Sequence, residues 1–169
     1  MKNIILVGFM GVGKGTVARA LAKESGAYAI DTDDMIESLE NRRIKDIFIE
    51  DGEAYFRDLE KKTAKWLEKN VSNAIISTGG GFYKVKNLNK IAKVILLDAS
   101  FEYIYQQILD HPNAKRKLAK RPLFQDIKKA KALYKERIPL YKGVADAVIM
   151  IEGKSPEKIA KEILKSHSC

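Results

Sequence analysis

Short runs of apolar, mostly β-branched residues alternate along this chain with longer segments in which apolar positions recur every three or four residues. The first pattern is typical of buried strands, and the second is typical of amphipathic helices. Five apolar runs are therefore predicted as strands, at residues 4–7, 28–30, 74–77, 94–97 and 147–150. Because helical sequence separates them, the pattern predicts an α/β fold with a parallel sheet and helices on both faces.

The helical pattern places helices at residues 16–25, 34–40, 44–51 and 52–69. A last helix is predicted to begin at Pro156, since Ser155 before it is a typical N-cap and proline is favoured at the first helical position. No repeat, low-complexity tract or linker divides the chain, so we expect a single domain over residues 1–169. One irregular, basic segment, residues 111–121, follows neither pattern.

Three segments rich in glycine or aspartate follow directly on predicted strands. They begin at Gly8, at Asp31 and at Gly79. The carboxyl ends of parallel strands meet at one edge of the sheet, and ligands in such folds bind in the crevice outside that edge. The sequence therefore predicts that all three segments contribute to one ligand site.

The segment from Gly8 to Thr16, with the sequence GFMGVGKGT, lies between the first strand and the first helix. Glycines let its backbone aim several N–H groups at one point, and the helix adds its N-terminal donors and dipole. Position, spacing and lysine favour a phosphate-binding loop for ATP over a plain glycine-rich turn. Lys14 is expected to reach the β and γ phosphates and to neutralise charge as the bond breaks. The candidate ATP-binding residues are Gly11, Val12, Gly13, Lys14, Gly15 and Thr16.

Gly15 departs from the usual form of this loop, in which a serine or threonine follows the lysine and contacts Mg²⁺. Thr16 comes one residue late, so it is a second candidate for this contact. Mg²⁺ gives up its waters reluctantly. We therefore expect the ion to keep an extra water or to be held by Asp31 through water.

Asp31 and Asp33 occupy alternate positions at the end of the second predicted strand, so their side chains are expected to diverge. One carboxylate could then face the metal while the other, on Asp33, holds an acceptor hydroxyl and accepts its proton during transfer. The alternative for this cluster is a helix N-cap before Met35, and for Asp34 capping is the favoured interpretation.

Three arginines are further candidates for anion binding. Arg57 and Glu60 are three residues apart on a predicted helix, where the glutamate could brace the guanidinium for a two-point contact with a carboxylate. The same spacing is also typical of a surface ion pair. Arg121 and Arg137 lie beyond the fourth strand, and each alone is more typical of a surface position. The triple glycine at residues 79–81 fits either a close approach of another molecule to the backbone or a flexible turn.

The formal net charge of +9 admits two interpretations, a nucleic-acid binder or a site for polyanionic ligands. The lysines are spread over nearly every predicted helix with acidic residues between them, which favours an ordinary solvated surface. No aromatic and basic motif of a nucleic-acid-binding fold is present in the sequence. We therefore expect no nucleic-acid partner.

The composition, with 46% hydrophobic and 31% charged residues, indicates an ordinary globular protein. The single cysteine, Cys169, excludes an internal disulfide and fits a reducing compartment. The apolar run near the N-terminus is far too short to span a bilayer and has no cleavage pattern. We therefore expect a cytoplasmic protein without a membrane segment.

Together these segments resemble the shikimate kinases, P-loop enzymes of the nucleoside monophosphate kinase group. The resemblance covers essentially the whole chain, in order and with similar spacing. It is carried by residues 8–16, Asp31-Thr32-Asp33, Phe56-Arg57 with Glu60, Gly79-Gly80-Gly81, Lys120-Arg121-Pro122-Leu123, and Arg137 followed by Tyr141. At Gly15 the chain differs from the serine or threonine usual in that family, and Gly-Lys-Gly-Thr is more typical of adenylate kinases.

The resemblance implies a P-loop fold with a five-stranded parallel sheet, an acceptor-binding region at about residues 32–60 and a mobile lid at about residues 111–124. It implies a monomer that uses ATP and Mg²⁺ to convert shikimate to shikimate 3-phosphate, with residues 153–156 as the adenine-side loop. In that scheme Lys14, Asp33 and Arg121 are catalytic, and the lid carries Arg121 to the ATP phosphates. Glu60 orients one of the arginines that grip the substrate carboxylate. The implied substrate-binding residues are Asp33, Arg57, Gly79, Gly80, Gly81 and Arg137.

Other functions compete with this one. A gluconate or adenylate kinase would share the ATP loop, and an adenylate kinase fits Gly15, although no motif for a nucleotide base in the acceptor site is present. A non-catalytic nucleotide-binding module would bind ATP without turnover. The chain keeps Lys14, Asp33 and the three arginines. This argues against a non-catalytic module, since a site without activity has no reason to keep the residues of an acceptor site.

Overall fold

The computed structural model describes residues 2–119 and 121–167, so Lys120 and Cys169 lie outside the described residues. Within those ranges the sheet contains five strands, β1 (Ile4–Val7), β2 (Tyr28–Asp31), β3 (Ala74–Ser77), β4 (Lys93–Asp98) and β5 (Ala147–Met150). They lie in the order β2-β3-β1-β4-β5, and every neighbouring pair is parallel. The predicted α/β architecture is confirmed, with β1 at the centre of the sheet.

Helices surround the sheet. In chain order they are α1 (Lys14–Ser25), α2 (Thr32–Glu40), α3 (Ile44–Glu50), α4 (Gly52–Asn70), α5 (Leu88–Ile91), α6 (Phe101–Leu109), α7 (Ala114–Ala119), α8 (Ile127–Val144) and α9 (Pro156–His167). Two short 3₁₀ turns, Phe82–Lys84 and Pro122–Gln125, occur between them. No helix in the described ranges has a stretch long and apolar enough to cross a membrane.

The main core lies between the sheet and the helices. β1 and β3 are buried along their whole length and β4 along most of it, as their continuous apolar sequences predict. Helix α1 packs against α9, β2 and β3 through a face that includes Val17, Ala18 and Leu21. This packing fixes the loop between β1 and α1 at the carboxyl edge of the sheet, where the predicted ligand site lies.

A second, smaller apolar cluster lies outside the main core. It consists of Ile36, Ile47, Phe56 and Leu59, with Ile44 packed against them. These residues come from α2, α3 and α4, which contact one another. The region predicted to bind the acceptor therefore has an apolar core of its own, which joins the two helices that carry the aspartate and arginine candidates.

Helix α1 begins two residues earlier than predicted, at Lys14. Gly13, with a left-handed φ of 98°, directly precedes it and lets the loop turn straight into the helix. The predicted start of the last helix at Pro156 is confirmed. There the hydroxyl of Ser155 accepts a hydrogen bond from the N–H of Lys158 at 3.2 Å.

Candidate active site

The loop between β1 and α1 is shaped by glycines. Gly11 and Gly13 adopt left-handed backbone conformations, with φ of 84° and 98°. A Cβ on Gly11 would lie only 2.7 Å from Ile108 Cδ1, so a larger residue would have to displace that methyl group as well as adopt a left-handed backbone. The first N–H groups of α1, like those of any helix, have no helical acceptors and face the loop. This geometry suits the phosphates of ATP, as the sequence predicts.

Lys14 is buried beneath this loop. Its Nζ donates to two carbonyl oxygens of the loop itself, Gly8 O at 2.7 Å and Phe9 O at 3.2 Å. The ammonium group therefore has protein acceptors in the absence of nucleotide. These two bonds use two of the three N–H donors of the ammonium group, so one remains for a phosphate oxygen.

The pKa of Lys14 depends on its burial and on the charged residues around it. Burial lowers its pKa to about 8, and opposite effects come from nearby charges. Those that raise the pKa are Asp33 and Asp31, and those that lower it further are Arg121 and Arg137. The structure thus brings four of the predicted site residues within electrostatic range of the phosphate loop.

Asp31 and Asp33 do not lie on one strand, contrary to the prediction. Asp31 is the last residue of β2, whereas Asp33 lies in the first turn of α2. Asp31 Oδ1 accepts from the N–H groups of Asp33 at 2.9 Å and Asp34 at 3.3 Å. Asp31 is therefore the N-cap, Asp34 is not, and α2 begins two residues earlier than predicted. Strand alternation does not set the directions of the two side chains, because a helix begins between them.

Each glycine of residues 79–81 lies against one of the charged side chains predicted to bind the acceptor. From the position of a missing Cβ, the distances are 2.5 Å from Gly79 to Asp33 Oδ1, 3.2 Å from Gly80 to Arg137 Nη1 and 2.1 Å from Gly81 to Arg57 Nη1. None of the three glycines has a left-handed backbone. Their absent side chains make room for three charged groups, so close approach rather than turn flexibility explains the triple glycine.

Asp33 has the character of a proton acceptor. Its Oδ1 is buried and has no hydrogen-bond partner among the described residues. The pKa of Asp33 is raised to about 7, mainly by burial and also by the charges of Asp31 and Glu60, with the charge of Lys14 acting in the opposite direction. A buried oxygen without a donor is costly, so a hydroxyl group arriving there gains a strong acceptor. A pKa near neutrality suits proton transfer at physiological pH.

Arg57 is held between two glutamates. Its Nη1 donates to Glu60 Oε2 at 2.7 Å, and its Nε and Nη2 both donate to Glu53 Oε1, at 3.2 and 3.0 Å. The Glu60 side chain is 1% exposed and that of Glu53 is 60% exposed, so one contact is internal and the other faces solvent. These contacts occupy three of the five N–H groups of the guanidinium and leave two for a ligand.

Arg137 and Tyr141, both on α8, hold the carbonyl of Gly80. The distances to Gly80 O are 3.3 Å from Arg137 Nη1 and 2.7 Å from the Tyr141 hydroxyl. Tyr141 is fully buried, and burial raises its pKa to about 12, so the hydroxyl keeps its proton and donates it to this bond. Helix α8 is thereby fixed to the triple glycine.

A cavity opens on the nucleotide side of the phosphate loop. Its wall combines residues of the loop and α1, of α6, α7 and the segments beside them, and of the start of α9 with the segment before it. They include Gly11, Thr16, Tyr103, Gln107, His111, Lys117, Arg121, Lys154 and Pro156. Two members of the predicted adenine-side loop, residues 153–156, thus line it. Arg121 is half-buried, its Nη1 donates to Lys117 O at 3.0 Å, and burial lowers its pKa.

The donor set suits Mg²⁺ in company with ATP phosphates. Across residues 2–119 and 121–167, no group of three or more His, Cys, Asp or Glu is placed to hold a metal ion by itself. Mg²⁺ in kinases commonly binds one or two protein oxygens together with substrate phosphates and waters. Asp31 lies at the rim and uses only Oδ1 for capping, which leaves its other oxygen for a water-mediated contact.

Two residues, Glu53 and Thr32, have roles at the site that the sequence did not predict. Glu53 lies four residues before Arg57, a helical spacing that signals an ion pair. Thr32 is buried, and its hydroxyl accepts from the N–H of Gly79 at 3.2 Å, which joins α2 to the triple glycine. Nothing in the pattern distinguishes a threonine between two aspartates as such a link.

The chain is similar to known proteins over nearly its whole length. A sequence model of the family described as shikimate kinase matches residues 10–168. A shikimate kinase of Helicobacter hepaticus is 39% identical over 165 residues, covering 98% of this chain and 95% of the relative. One of Persephonella marina is 40% identical over 169 residues, covering 97% and 98%.

Solved structures agree with these relatives. Shikimate kinase from Acinetobacter baumannii, solved in complex with shikimate, has a TM-score of 0.86 at 31% identity and covers 99% of this chain and 93% of its own. Shikimate kinase from Aquifex aeolicus has a TM-score of 0.78 at 34% identity, covering 98% of this chain and 96% of that one.

Proposed function

The chain belongs to the shikimate kinase family and phosphorylates shikimate with ATP in aromatic amino acid biosynthesis, and on this premise we propose which of its residues carry the reaction. The transfer needs a cradle for the ATP phosphates and a seat for the acceptor, held close enough for in-line displacement. The phosphate loop and the triple glycine, at the same edge of the sheet, supply these two halves.

On the donor side, residues 11–16 hold the ATP phosphates. The glycines aim backbone N–H groups at the phosphate oxygens, and the N-terminus of α1 adds its dipole. Lys14 binds the β and γ phosphates, where it stabilises negative charge in the transition state. Tyr103, Gln107 and Pro156 line the cavity and lie around the rest of the nucleotide.

On the acceptor side, Asp33 holds the reacting hydroxyl of shikimate. That hydroxyl oxygen attacks the γ-phosphorus, and the bond from this phosphorus to the bridging oxygen of ADP breaks. The hydroxyl proton passes to Asp33, and the leaving electron pair stays on ADP. The buried oxygen without a donor and the pKa of about 7 at Asp33 support this role.

Arg57 and Arg137 bind the carboxylate of shikimate. The glutamate contacts fix the plane of the Arg57 guanidinium, so its remaining N–H groups need little reordering to meet a carboxylate. Arg137 lies beside the Gly80 carbonyl with Tyr141 as its neighbour. The backbone of residues 79–81 lies against the ring of the substrate, since the absent side chains leave that surface open.

Mg²⁺ accompanies ATP in this scheme. Asp31 would hold it through water, and the ion would screen the phosphate charge when bound. Thr16 is a second candidate contact, and Gly15 supplies no oxygen from a side chain.

The segment at residues 111–124 acts as a lid that brings Arg121 to the transferred phosphoryl group. Closure would exclude water from the site and so limit ATP hydrolysis without an acceptor. The support is the place of Arg121 on the wall of the nucleotide cavity and its electrostatic effect on Lys14.

The protein works as a cytoplasmic monomer, with ATP and shikimate as its partners and without nucleic acid or membrane. A single domain with both substrate sites on one chain needs no second copy to complete the active site. Light scattering during size-exclusion chromatography would check this: one mass near 19.0 kDa is expected, and a concentration-independent dimer would contradict it.

One observation carries the proposal, namely the fit of each of the three glycines against Asp33, Arg137 or Arg57. The test follows ADP release from Mg-ATP in parallel reactions with shikimate, gluconate, AMP or no acceptor. Release that depends on shikimate is expected. Release with AMP or gluconate but not shikimate would refute the acceptor assignment and leave the ATP loop intact.

A further inference from the structure

Gly15 leaves a gap where the usual serine or threonine would place a hydroxyl beside Mg²⁺. A Cβ on Gly15 would have two neighbours within 4 Å, Arg19 Nη1 at 3.5 Å and Ser77 Oγ at 3.9 Å. A serine side chain carries its oxygen one bond beyond the Cβ. The hydroxyl of Ser77 therefore borders the space that the missing hydroxyl would occupy.

The Ser77 hydroxyl is available to a ligand. Ser77 is the last residue of β3 and is 4% exposed. Its side chain takes part in none of the hydrogen bonds found among the described residues, whereas the hydroxyl of the adjacent Thr78 donates to Leu6 O at 2.8 Å. Most buried polar groups have a hydrogen-bond partner. We therefore expect a ligand to supply the partner of this nearly buried hydroxyl at the rim of the phosphate site.

Ser77 also lies beside the carboxylate assigned to the metal. It pairs with Asp31 of β2 in the parallel register, and paired residues of neighbouring strands point to the same face of the sheet. That face is the one on which the start of α1 lies, since Ser77 Oγ approaches Gly15. The hydroxyl and the carboxylate thus share the side of the sheet where the β and γ phosphates would lie.

Thr16, the other hydroxyl near the lysine, is placed differently. It is exposed, and its Oγ1 accepts from Arg19 Nη2 at 3.4 Å. It also lines the cavity on the nucleotide side of the loop. This placement suits contact with the nucleotide better than contact with an ion between the β and γ phosphates.

We infer that the Ser77 hydroxyl takes the place of the hydroxyl that Gly15 lacks and supplies a protein oxygen to the Mg²⁺ of Mg-ATP. The inference rests on the proposed function, because it assumes that Mg-ATP occupies the loop. The oxygen ligand is thereby moved from the first turn of α1 to the end of the neighbouring strand. Mg²⁺ demands oxygen ligands in near-octahedral geometry but takes them from any chain segment.

The test measures the binding of Mn²⁺, a paramagnetic substitute for Mg²⁺, to the protein–ADP complex by electron paramagnetic resonance. Ser77→Ala is expected to raise the Mn²⁺ dissociation constant about tenfold. Adding Gly15→Ser to that variant is expected to restore most of the affinity. The control Ser25→Ala removes a hydroxyl at the far end of α1, where it donates to Leu21 O, and should change nothing.

Unchanged Mn²⁺ affinity in Ser77→Ala, or a loss that Gly15→Ser leaves in place, would overturn the inference. If Ser77→Ala does not fold, Ser77→Cys carries the test, because a thiolate prefers the softer Cd²⁺. Its preference for Cd²⁺ over Mn²⁺ should rise about tenfold above that of the wild-type protein, and an unchanged preference would refute the direct contact. Failure of the proposed function would appear separately, as no shikimate-dependent ADP release by the wild-type protein.

Discussion

The proposed acceptor side and the proposed nucleotide side of this active site are built in different ways. On the acceptor side, Asp33, Arg57 and Arg137 each lie against one glycine of residues 79–81. Both arginines there bond to protein oxygens that hold them at the site, the Glu60 carboxylate and the Gly80 carbonyl. The charged groups are therefore in position before the substrate arrives.

On the nucleotide side, the cations bond to carbonyls of their own segments. Lys14 donates to Gly8 O and Phe9 O, and Arg121 donates to Lys117 O. These bonds tie each cation to its own segment but leave it further donors for phosphate, because a lysine ammonium has three N–H groups and a guanidinium has five. We therefore expect the acceptor half to be preorganised and the cations of the nucleotide half to adjust when ATP binds, so substitutions in the two halves should have different consequences.

The largest effect is expected from Asp33→Asn. This change preserves the size of the side chain and removes the proton acceptor, so kcat should fall by about 10²–10⁴ while the KM for ATP stays near that of the wild type. Coupled measurement of ADP release checks this. Asp58→Asn is a matched control on the exposed side of α4, where Asp58 pairs with Lys61, and should keep full activity. Wild-type kcat in Asp33→Asn would contradict the assignment.

Arg57→Lys should damage the enzyme nearly as much as Arg57→Ala. A lysine ammonium cannot reproduce two parallel N–H groups in a fixed plane, and a hydrogen bond to a charged group contributes about 1.5–3 kcal/mol. The expected loss in kcat/KM for shikimate is about 10–100-fold in both variants. Steady-state kinetics with varied shikimate measures it. Near-normal kcat/KM in the lysine variant would rule out a two-point grip.

Gly81→Ala tests the acceptor half without changing any of its charged residues. The new Cβ would meet Arg57 Nη1 at 2.1 Å and must push the guanidinium aside, so kcat/KM for shikimate should fall about tenfold or more. Affinity for ADP should stay unchanged, because the nucleotide half lies elsewhere. Gly143→Ala makes the same chemical change on α8, where a Cβ meets nothing within 4 Å, and should be neutral or slightly stabilising. Equal kinetics in the two variants would refute the role of Gly81.

The last prediction concerns stability rather than activity, and it depends on pH. The pKa of Asp33 is raised from 3.8 to about 7 in the folded protein, so between those values the folded chain keeps a proton that the unfolded chain has lost. The folded state therefore loses stability as pH rises through this window. Asp33→Asn carries no such charge, so its advantage in Tm over the wild type should grow by about 10 °C from pH 4 to pH 8, since about three pKa units correspond to about 4 kcal/mol and each kcal/mol shifts Tm by about 2–4 °C. A constant difference in Tm would contradict the raised pKa.

The sequence predicts the sheet and the phosphate loop well because both depend on local pattern. Apolar runs define the strands, and the spacing of glycines and lysine defines the loop at Lys14. The role of Asp31 cannot be predicted in this way, because an aspartate at the end of a strand has the same sequence pattern whether it caps a helix or continues the alternation of the strand. In the structure Asp31 accepts hydrogen bonds from the N–H groups of Asp33 and Asp34, which identifies it as the N-cap of α2.

The acceptor site illustrates the limit of sequence reasoning. The role of the glycines at residues 79–81 depends on side chains from α2, α4 and α8, which are distant in the sequence. No sequence pattern marks the hydroxyls of Thr32 and Ser77. Their roles depend on the approach of Thr32 to the N–H of Gly79 and of Ser77 to Gly15 in the folded chain. Glu53 is the exception, because its spacing of four residues from Arg57 on a helix predicts an ion pair from the sequence alone.

The most direct test of a preorganised acceptor half is the binding of shikimate to the nucleotide-free protein by isothermal titration calorimetry. We predict saturable binding at one site, with a dissociation constant close to that measured with Mg-ADP present. That constant should rise about tenfold or more in Gly81→Ala and stay unchanged in Gly143→Ala. Binding that appears only when nucleotide is present would contradict this account, since it would show that the acceptor site is assembled by ATP rather than by the triple glycine.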